Sequence, residues 1–553
     1  MEKVWLDSYP EGIPHEINID EHSSVLDIFE KSVDKYGDNP AYCNMGTTLT
    51  YLEVDKKARD FAAYLQTQLG MQHGDRIAIM MPNLLQYPIA IFGALKAGLS
   101  IINVNPLYTA RELQHQLSDA NADAIIIIEN FACTLEKVIK ETSVKHVIVT
   151  QLGDEIKGLK SYLVNFVVKY VKKMVPKYQI SHALKYKSVL GQGASLNLNK
   201  VELSHNDIAF LQYTGGTTGV AKGAVLTHRN LVANVLQAHA WLSIVVKPGQ
   251  ETIITALPLY HIFSLTANCM VFCKLGGLNV LITNPRDMKG FVKELSSLKF
   301  TGITGVNTLF NGLLNTPGFS ELDFSSLRLS LGGGMAVQES VAKQWQQVTG
   351  SPLLVGYGLS ETSPAVCMSP MDQKANDGTI GLPISSTEVS IRDDNGAELA
   401  INEAGELWVR GPQVMRGYLD RPEETAKVLN QEGWFATGDV AMMDEKGFCK
   451  IVDRKKDMII VSGFNVYPNE IEDVIAAHDK VLEVAAIGVP CDSSGEKVKI
   501  FIVKKDQSLT EGELKEYCKE NLTGYKRPKI IEFKDDLPKS NVGKILRREL
   551  RDE

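Results

Sequence analysis

The sequence predicts an α/β protein, with a large N-terminal region of largely parallel sheets and packed helices and a small appended C-terminal unit. Three observations carry that expectation. The chain has 553 residues, which at roughly 150 residues per domain makes three or four structural units. Short β-branched runs without polar–apolar alternation recur along its first half, as expected of strands buried on both faces. Helical stretches separate those runs, and parallel strands need such crossovers.

In chain order, residues 76–81 are the first run and residues 84–96 the helix after it. Ala124–Ile128 (Ala-Ile-Ile-Ile-Ile) follows, then a helix over 133–141 and further runs at 147–149 and 252–256. Two uncharged stretches, 77–95 and 252–273, are long enough to test as membrane spans. Pro82, Asn83, Gln86 and Pro88 interrupt the first, and Pro258, His261 and Asn268 the second. Such residues break a spanning helix or leave polar groups unpaired in lipid, so each stretch predicts a buried strand, a turn and a helix. The first 17 residues carry acids and prolines and no apolar run, so no secretion signal is expected.

Composition narrows the function classes. With 44% hydrophobic and 22% charged residues, the chain is neither disordered nor a disulfide-stapled miniprotein. A net charge of −8 and a pI near 5.9 give no global basic surface for gripping nucleic acid. The eight cysteines (43, 133, 269, 273, 367, 449, 491 and 518) form no Cys-x-x-Cys pair. Only Cys269 and Cys273 lie close, without clustered histidines, so reduced thiols of a cytoplasmic protein are expected rather than a metal site.

One segment departs from the acidic background. Between Glu155 and Glu202 there is no Asp or Glu, but there are nine lysines. Within it, Ser161, Asn165, Lys169, Lys172 and Lys173 share one helical face, apolar residues fill the rest, and Pro176 ends the pattern. That is a basic amphipathic helix, of the type that lies on an anionic membrane surface; a core helix with a solvated lysine stripe is the plainer alternative. The last hundred residues read as a separate unit, with strands at 484–489 and 498–503, a polar helix Glu511–Asn521 and a basic run over 544–551. The charged run Asp453-Arg-Lys-Lys-Asp457 lies at the junction and is a candidate hinge.

The densest chemistry lies in Tyr213-Thr-Gly-Gly-Thr-Thr-Gly-Val-Ala-Lys-Gly223. Gly215, Gly216, Gly219 and Gly223 let backbone amides approach a phosphate closely. Thr214, Thr217 and Thr218 add hydroxyl donors, and Lys222 adds charge. The P-loop pattern fails, because Lys222 is followed by Gly223 and not preceded by glycine.

This loop resembles the phosphate loop of the adenylate-forming superfamily, with Ala221 where the superfamily has proline. The likeness continues in the superfamily's order over almost the whole chain: Pro258-Leu-Tyr-His-Ile-Phe263, Leu331-Gly-Gly-Gly-Met335, Gly356-Tyr-Gly-Leu-Ser-Glu-Thr362, Trp434-Phe-Ala-Thr-Gly-Asp439 and Pro538-Lys-Ser-Asn-Val-Gly-Lys544. Residues 433–456 are similar to the fatty-acyl-CoA synthetase branch in particular.

The resemblance implies a domain over 1–453 that includes a β-barrel-like subdomain, a hinge at 454–457 centred on Lys456, and a mobile α+β lid over 458–553. It implies activation of a long-chain fatty acid by ATP and Mg²⁺ to acyl-AMP, then transfer to coenzyme A. Glu361, helped by Thr214, is the implied magnesium ligand, a role suited to a hard cation that takes carboxylates and phosphate oxygens; an N-terminal helix acid is the plainer reading. His261 would wall the acyl/AMP pocket, although a lone histidine is more often a satisfied core residue. Gly334 and Gly356 would line the adenine and Tyr357 would stack on it, a core tyrosine being the plainer reading of the last. Asp439 and Arg454 would hold ribose or phosphate, although an Asp after Thr-Gly commonly caps a turn. Lys544 would stand between the carboxylate and the α-phosphate, two anions that must meet; as a residue of a basic tail it would otherwise be a solvated charge. Gly463, Phe464 and Lys526 would serve coenzyme A once the lid has turned.

Hiding a C16 chain from water yields about 11 kcal/mol at about 0.8 kcal/mol per methylene, which favours a deep apolar tunnel. The implied setting is the cytoplasm, with peripheral contact to the inner face of an anionic membrane, a possible homodimer and no nucleic-acid partner. A medium-chain or aryl acid, or a carrier protein as acceptor, is the alternative, as is a lipid-binding protein without catalysis. Against the last stands the presence of Glu361, Asp439 and Lys544 together.

Overall fold

The computed structural model describes residues 2–214, 221–491 and 494–551. Four sheets organise it. The first, of seven strands, runs Leu184–Lys185, His146–Thr150, Ala124–Ile128, Arg76–Met80, Ser100–Asn103, Ile208–Thr214, Lys222–Thr227, and is parallel except for its last pair. The second has nine strands. Its parallel centre is Pro40–Asn44, Leu278–Leu281, Thr252–Thr255, Gly302–Gly305, Leu329–Gly333 and Leu353–Gly358, with antiparallel strands at both edges. Every residue of Ala124–Ile128 is buried, because helices cover both faces of such a sheet.

Both stretches tested as membrane spans resolve into strand and helix. Arg76–Met80 leads to the helix Gln86–Lys96, and Thr252–Thr255 leads to Ser264–Met270 and Val271–Lys274. Among the described residues no helix is long and apolar enough to cross a membrane. The helix expected over 133–141 is interrupted. It runs Ala132–Glu136 and resumes as a turn at Ile139–Glu141, because Val138 leaves the helical region (φ −127°) and buries its side chain.

The third sheet is an antiparallel meander of Glu388–Arg392, Gly405–Arg410, Phe435–Met443 and Cys449–Arg454. The fourth holds Phe464–Val466, Ile459–Val461, Gly495–Lys504 and Val481–Cys491, with Ile530–Lys534 parallel to Gly495–Lys504. The strands expected at 484–489 and 498–503 are thus the middle of a longer hairpin.

The basic segment folds as Leu159–Phe166 and a π-turn, Val167–Val171, and ends before Pro176. Ser161, Asn165 and Lys169 of its polar stripe face inward, whereas Lys172 and Lys173 are exposed, so the stripe is solvated only at its C-terminal end. The Ser161 hydroxyl donates to the Gly153 carbonyl at 2.6 Å, Asn165 Oδ1 accepts from Gly153 N at 2.7 Å, and Lys169 pairs with buried Glu129 at 3.3 Å. Leu159, Tyr162, Leu163, Phe166, Tyr170, Val171 and Met174 are left 55–85% exposed. Ser161 also accepts from Lys187 Nζ at 3.0 Å and Asn165 Nδ2 donates to Gln151 Oε1 at 3.2 Å, so the inward groups are satisfied, and leaving a buried polar group unpaired would cost about 1–3 kcal/mol.

Candidate active site

Ligands of open α/β sheets bind beyond the carboxyl ends of the strands, and here that region is a cavity of about 1610 Å³. Asn103, Thr214, Gly334 and residues 356–358 line it from the ends of four parallel strands. Thr214 and Lys222 are opposite one another across an antiparallel pair. The residues between them that were singled out in the sequence, Gly215, Gly216, Thr217, Thr218 and Gly219, lie outside the described residues. Beyond the strand, a capping box at Thr227 starts the helix His228–Leu242. Asn234, Ala238 and Leu242, four residues apart on one face of that helix, continue the cavity wall together with Phe263, Thr266, Ala267, Leu331 and Met368.

The structure brings Thr214, Lys222, His261, Gly334, Gly356, Tyr357, Glu361, Asp439, Arg454, Lys456 and Lys544 to this one cavity. Asp439 is buried, accepts a hydrogen bond from the Tyr357 hydroxyl at 2.7 Å, and pairs with Arg454 Nε at 3.3 Å. Its own turn is capped by another group: Thr437 Oγ1 accepts from Asp439 N at 3.1 Å. Gly438 supplies the positive φ (+73°) that the turn needs. The Asp439 carboxylate is therefore aimed into the cavity and is not consumed as a cap.

Glu361 accepts from the Tyr418 hydroxyl at 2.8 Å, and burial raises its carboxyl pKa. No ion pair among the described residues involves it. A desolvated carboxylate without an ion-pair partner, in one cavity with the Thr214 hydroxyl, fits a hard divalent cation. Tyr418 was not legible in the sequence. It reaches the site because residues 416–419 pair with residues 223–225, and no motif spacing marks that pairing. Its ring also lies 5.0 Å from Lys222 Nζ, which pairs with Glu424 at 2.6 Å.

Lys544 enters from the fourth sheet's side, on a loop held against the large region. Thr308 Oγ1 donates to the Gly543 carbonyl at 2.8 Å, and Arg286 Nη2 donates to Asn541 Oδ1 at 3.1 Å. Gly543 has φ +83°, and a Cβ there would lie 2.7 Å from the Thr308 hydroxyl, so the approach requires glycine. Burial, with Arg454 and Lys456 beside it, pushes the Lys544 ammonium down to about 8. Burial and then the Lys544 charge push His261 down to about 4, so its imidazole is neutral near pH 7. Burial and Arg454 also push Lys456 down to about 8.

Gly463, Phe464 and Lys526 are not brought to the cavity. Phe464 is exposed and stacks on Tyr525 with centroids 4.7 Å apart, and Lys526 pairs with Glu470 at 2.6 Å.

Residues 29–419 match the AMP-binding enzyme family, and residues 470–544 match the AMP-binding enzyme C-terminal domain. A long-chain-fatty-acid–CoA ligase of Yersinia pestis is 60% identical over 553 residues, which are 100% of this chain and 98% of the relative. One from Escherichia coli O157:H7 is 59% identical over the same shares. Among solved structures, an anthranilate CoA ligase in complex with anthranoyl-AMP superposes with a TM-score of 0.86 at 24% identity, over 97% of this chain and 98% of that one.

Proposed function

The chain belongs to the AMP-binding enzyme family, and from that premise we propose how its cavity works as that of a long-chain-fatty-acid–CoA ligase. The reaction has two balanced steps. A fatty-acid carboxylate oxygen attacks the α-phosphorus of ATP, the bond to the β-phosphate breaks, and pyrophosphate leaves. The thiol of coenzyme A then attacks the acyl carbonyl, a C–S bond forms, AMP leaves, and the thiol proton passes to solvent.

The observation that carries the assignment is Lys544 sharing one cavity with Glu361 and Asp439. Between carboxylate and α-phosphate, the ammonium offsets the repulsion of two anions and stabilises charge on the pentavalent phosphorus; one such preorganised donor is worth about 3–4 kcal/mol. Asp439 holds the ribose hydroxyls, with Tyr357 and Arg454 fixing its carboxylate. Neutral His261 walls the acyl side without adding charge. Glu361 and Thr214 would hold Mg²⁺, which when bound would neutralise phosphate charge. The face formed by Asn234, Ala238 and Leu242 offers about 12 Å of wall at 1.5 Å per residue, suited to an extended acyl chain. Residues 454–457 act as a hinge between 1–453 and 458–553, about which Gly463 and Phe464 come in as Lys544 leaves. Oleate-dependent pyrophosphate release from MgATP, followed over saturated acids from C6 to C18, tests the reading; no release with any long-chain acid overturns it.

The outward apolar face of 159–174 serves as a peripheral membrane contact. A buried large apolar side chain yields about 1.5–3 kcal/mol, against about 1 kcal/mol per lysine near an anionic surface, so insertion outweighs charge. Exposed Lys172, Lys173 and Lys177 rim the face, while Lys169 is taken by Glu129. Leu163→Asp with Phe166→Asp is expected to abolish flotation with anionic vesicles, and Lys172→Ala with Lys173→Ala to weaken it less. A loss of dimer on sizing, with flotation intact, would assign the face to a second copy instead.

A further inference from the structure

The contacts of Arg547 are explained by neither nucleotide nor acyl binding. Its guanidinium grips Glu472 twice, at 2.6 and 3.0 Å, and donates to Asn469 Oδ1 at 2.7 Å. The same group reaches Asp453 at 3.4 Å and Asp457 at 3.6 Å. These partners lie on both sides of the junction. Asp453 belongs to the third sheet's last strand, Cys449–Arg454, whereas Asn469 and Glu472 lie on the helix Pro468–Ala476 of the small unit. Asp453 is fully buried, and its other oxygen accepts from Asn469 N at 2.8 Å.

Arg547 also directly follows the Lys544 loop. That loop closes on itself, with Leu546 N donating to the Pro538 carbonyl at 2.8 Å and Lys539 bridged to Ile545. Fixing Arg547 therefore fixes the base of the loop that carries the amine. We propose that Arg547 is a positioning residue for adenylate formation: it clasps Asp453, ahead of residues 454–457, to Glu472 behind them, and so sets where Lys544 stands in the cavity. The inference rests on the two-step reading given above. In a turn about 454–457, Asn469, Glu472 and Arg547 travel together while Asp453 stays with its strand. The Arg547–Asp453 contact is then made for the first step and broken for the second, whereas Arg547–Glu472 persists.

The test uses the full-length chain as wild type, Arg547→Lys, Arg547→Gln, Asp453→Asn and the Asp453→Asn/Arg547→Gln double variant. Two rates are measured on each: oleate-dependent ATP–pyrophosphate exchange, and oleoyl-CoA formation from supplied oleoyl-AMP. A misplacement of about 1 Å costs up to about 100-fold, so Arg547→Gln is expected to lose about 10- to 100-fold in exchange. Independent sites add in free energy whereas sites in contact do not, so the double variant should lose little beyond the worse single one in exchange, with transfer within about twofold of wild type throughout. Arg547→Lys, which keeps the charge without the fork, is expected to recover part of the exchange rate. Equal losses in both steps, or additive losses in exchange, overturn the positioning role; Asp453→Asn alone decides the step preference if Arg547→Gln does not fold. A wild type that exchanges no pyrophosphate brings down the enzyme reading and this inference with it. A wild type that does, with no step-selective variant, brings down this inference alone.

Discussion

Two loops of the small C-terminal unit stand in opposite states. The loop bearing Lys544 is seated, with Gly543 against Thr308, Asn541 against Arg286 and the ammonium inside the cavity. The loop bearing Gly463 and Phe464 faces solvent, and a Cβ on Gly463 would meet nothing within 4 Å. Both loops belong to one unit built around a common five-stranded sheet. On the two-step reading proposed above, this arrangement is the one for adenylate formation, and the second step would call for a turn that exchanges the two loops.

The sharpest way to break this contrast is Lys544→Ala. Losing one preorganised donor is expected to lower oleate-dependent pyrophosphate release by about 10²–10³-fold, with transfer from supplied oleoyl-AMP retained. Gly463→Leu is expected to do the reverse by a smaller factor. A leucine at φ +82° carries about 1–2 kcal/mol of strain besides its bulk, so transfer should fall by about tenfold or more while pyrophosphate release persists. If both variants lose the same step, the exchange of loops is wrong. The smallest effect is on pH. On the proposed role of Lys544 as a cation, with its ammonium pushed down to about 8, activity is expected to be full well below that value and to be lost as pH rises through it. Between pH 7 and 8.5 the charged fraction falls by about fourfold, and kcat/KM for adenylation should follow, since it reports the free enzyme. Transfer from supplied oleoyl-AMP should lack that limb.

Legibility in the sequence followed the reach of the interactions. The all-buried run Ala124–Ile128 and the interrupted stretches 77–95 and 252–273 announced their strands and helices through local pattern. Thr214, Lys222, Glu361, Asp439 and Lys544 stood out because each sits in a compact motif. Tyr418 and Arg547 did not, because their partners lie far away in the chain: Glu361 is 57 residues from Tyr418, and Asp453 is 94 from Arg547. The 159–174 segment was legible as amphipathic, but its orientation was not. The inward turn of Ser161, Asn165 and Lys169 depends on Gly153 and Glu129, which only the folded chain supplies.

The sequence by itself determined the α/β class, the order of the motifs and the residue types able to meet phosphate, ribose and carboxylate. Periodicity and short-range spacing are properties of the chain alone. Only the tertiary structure decided which loop of the small unit occupies the cavity, which face of the basic helix meets solvent, and how the junction is clasped. Each of those rests on a few hydrogen bonds and ion pairs between distant residues. Their geometry exists only once the sheets have packed and water has been excluded from between them.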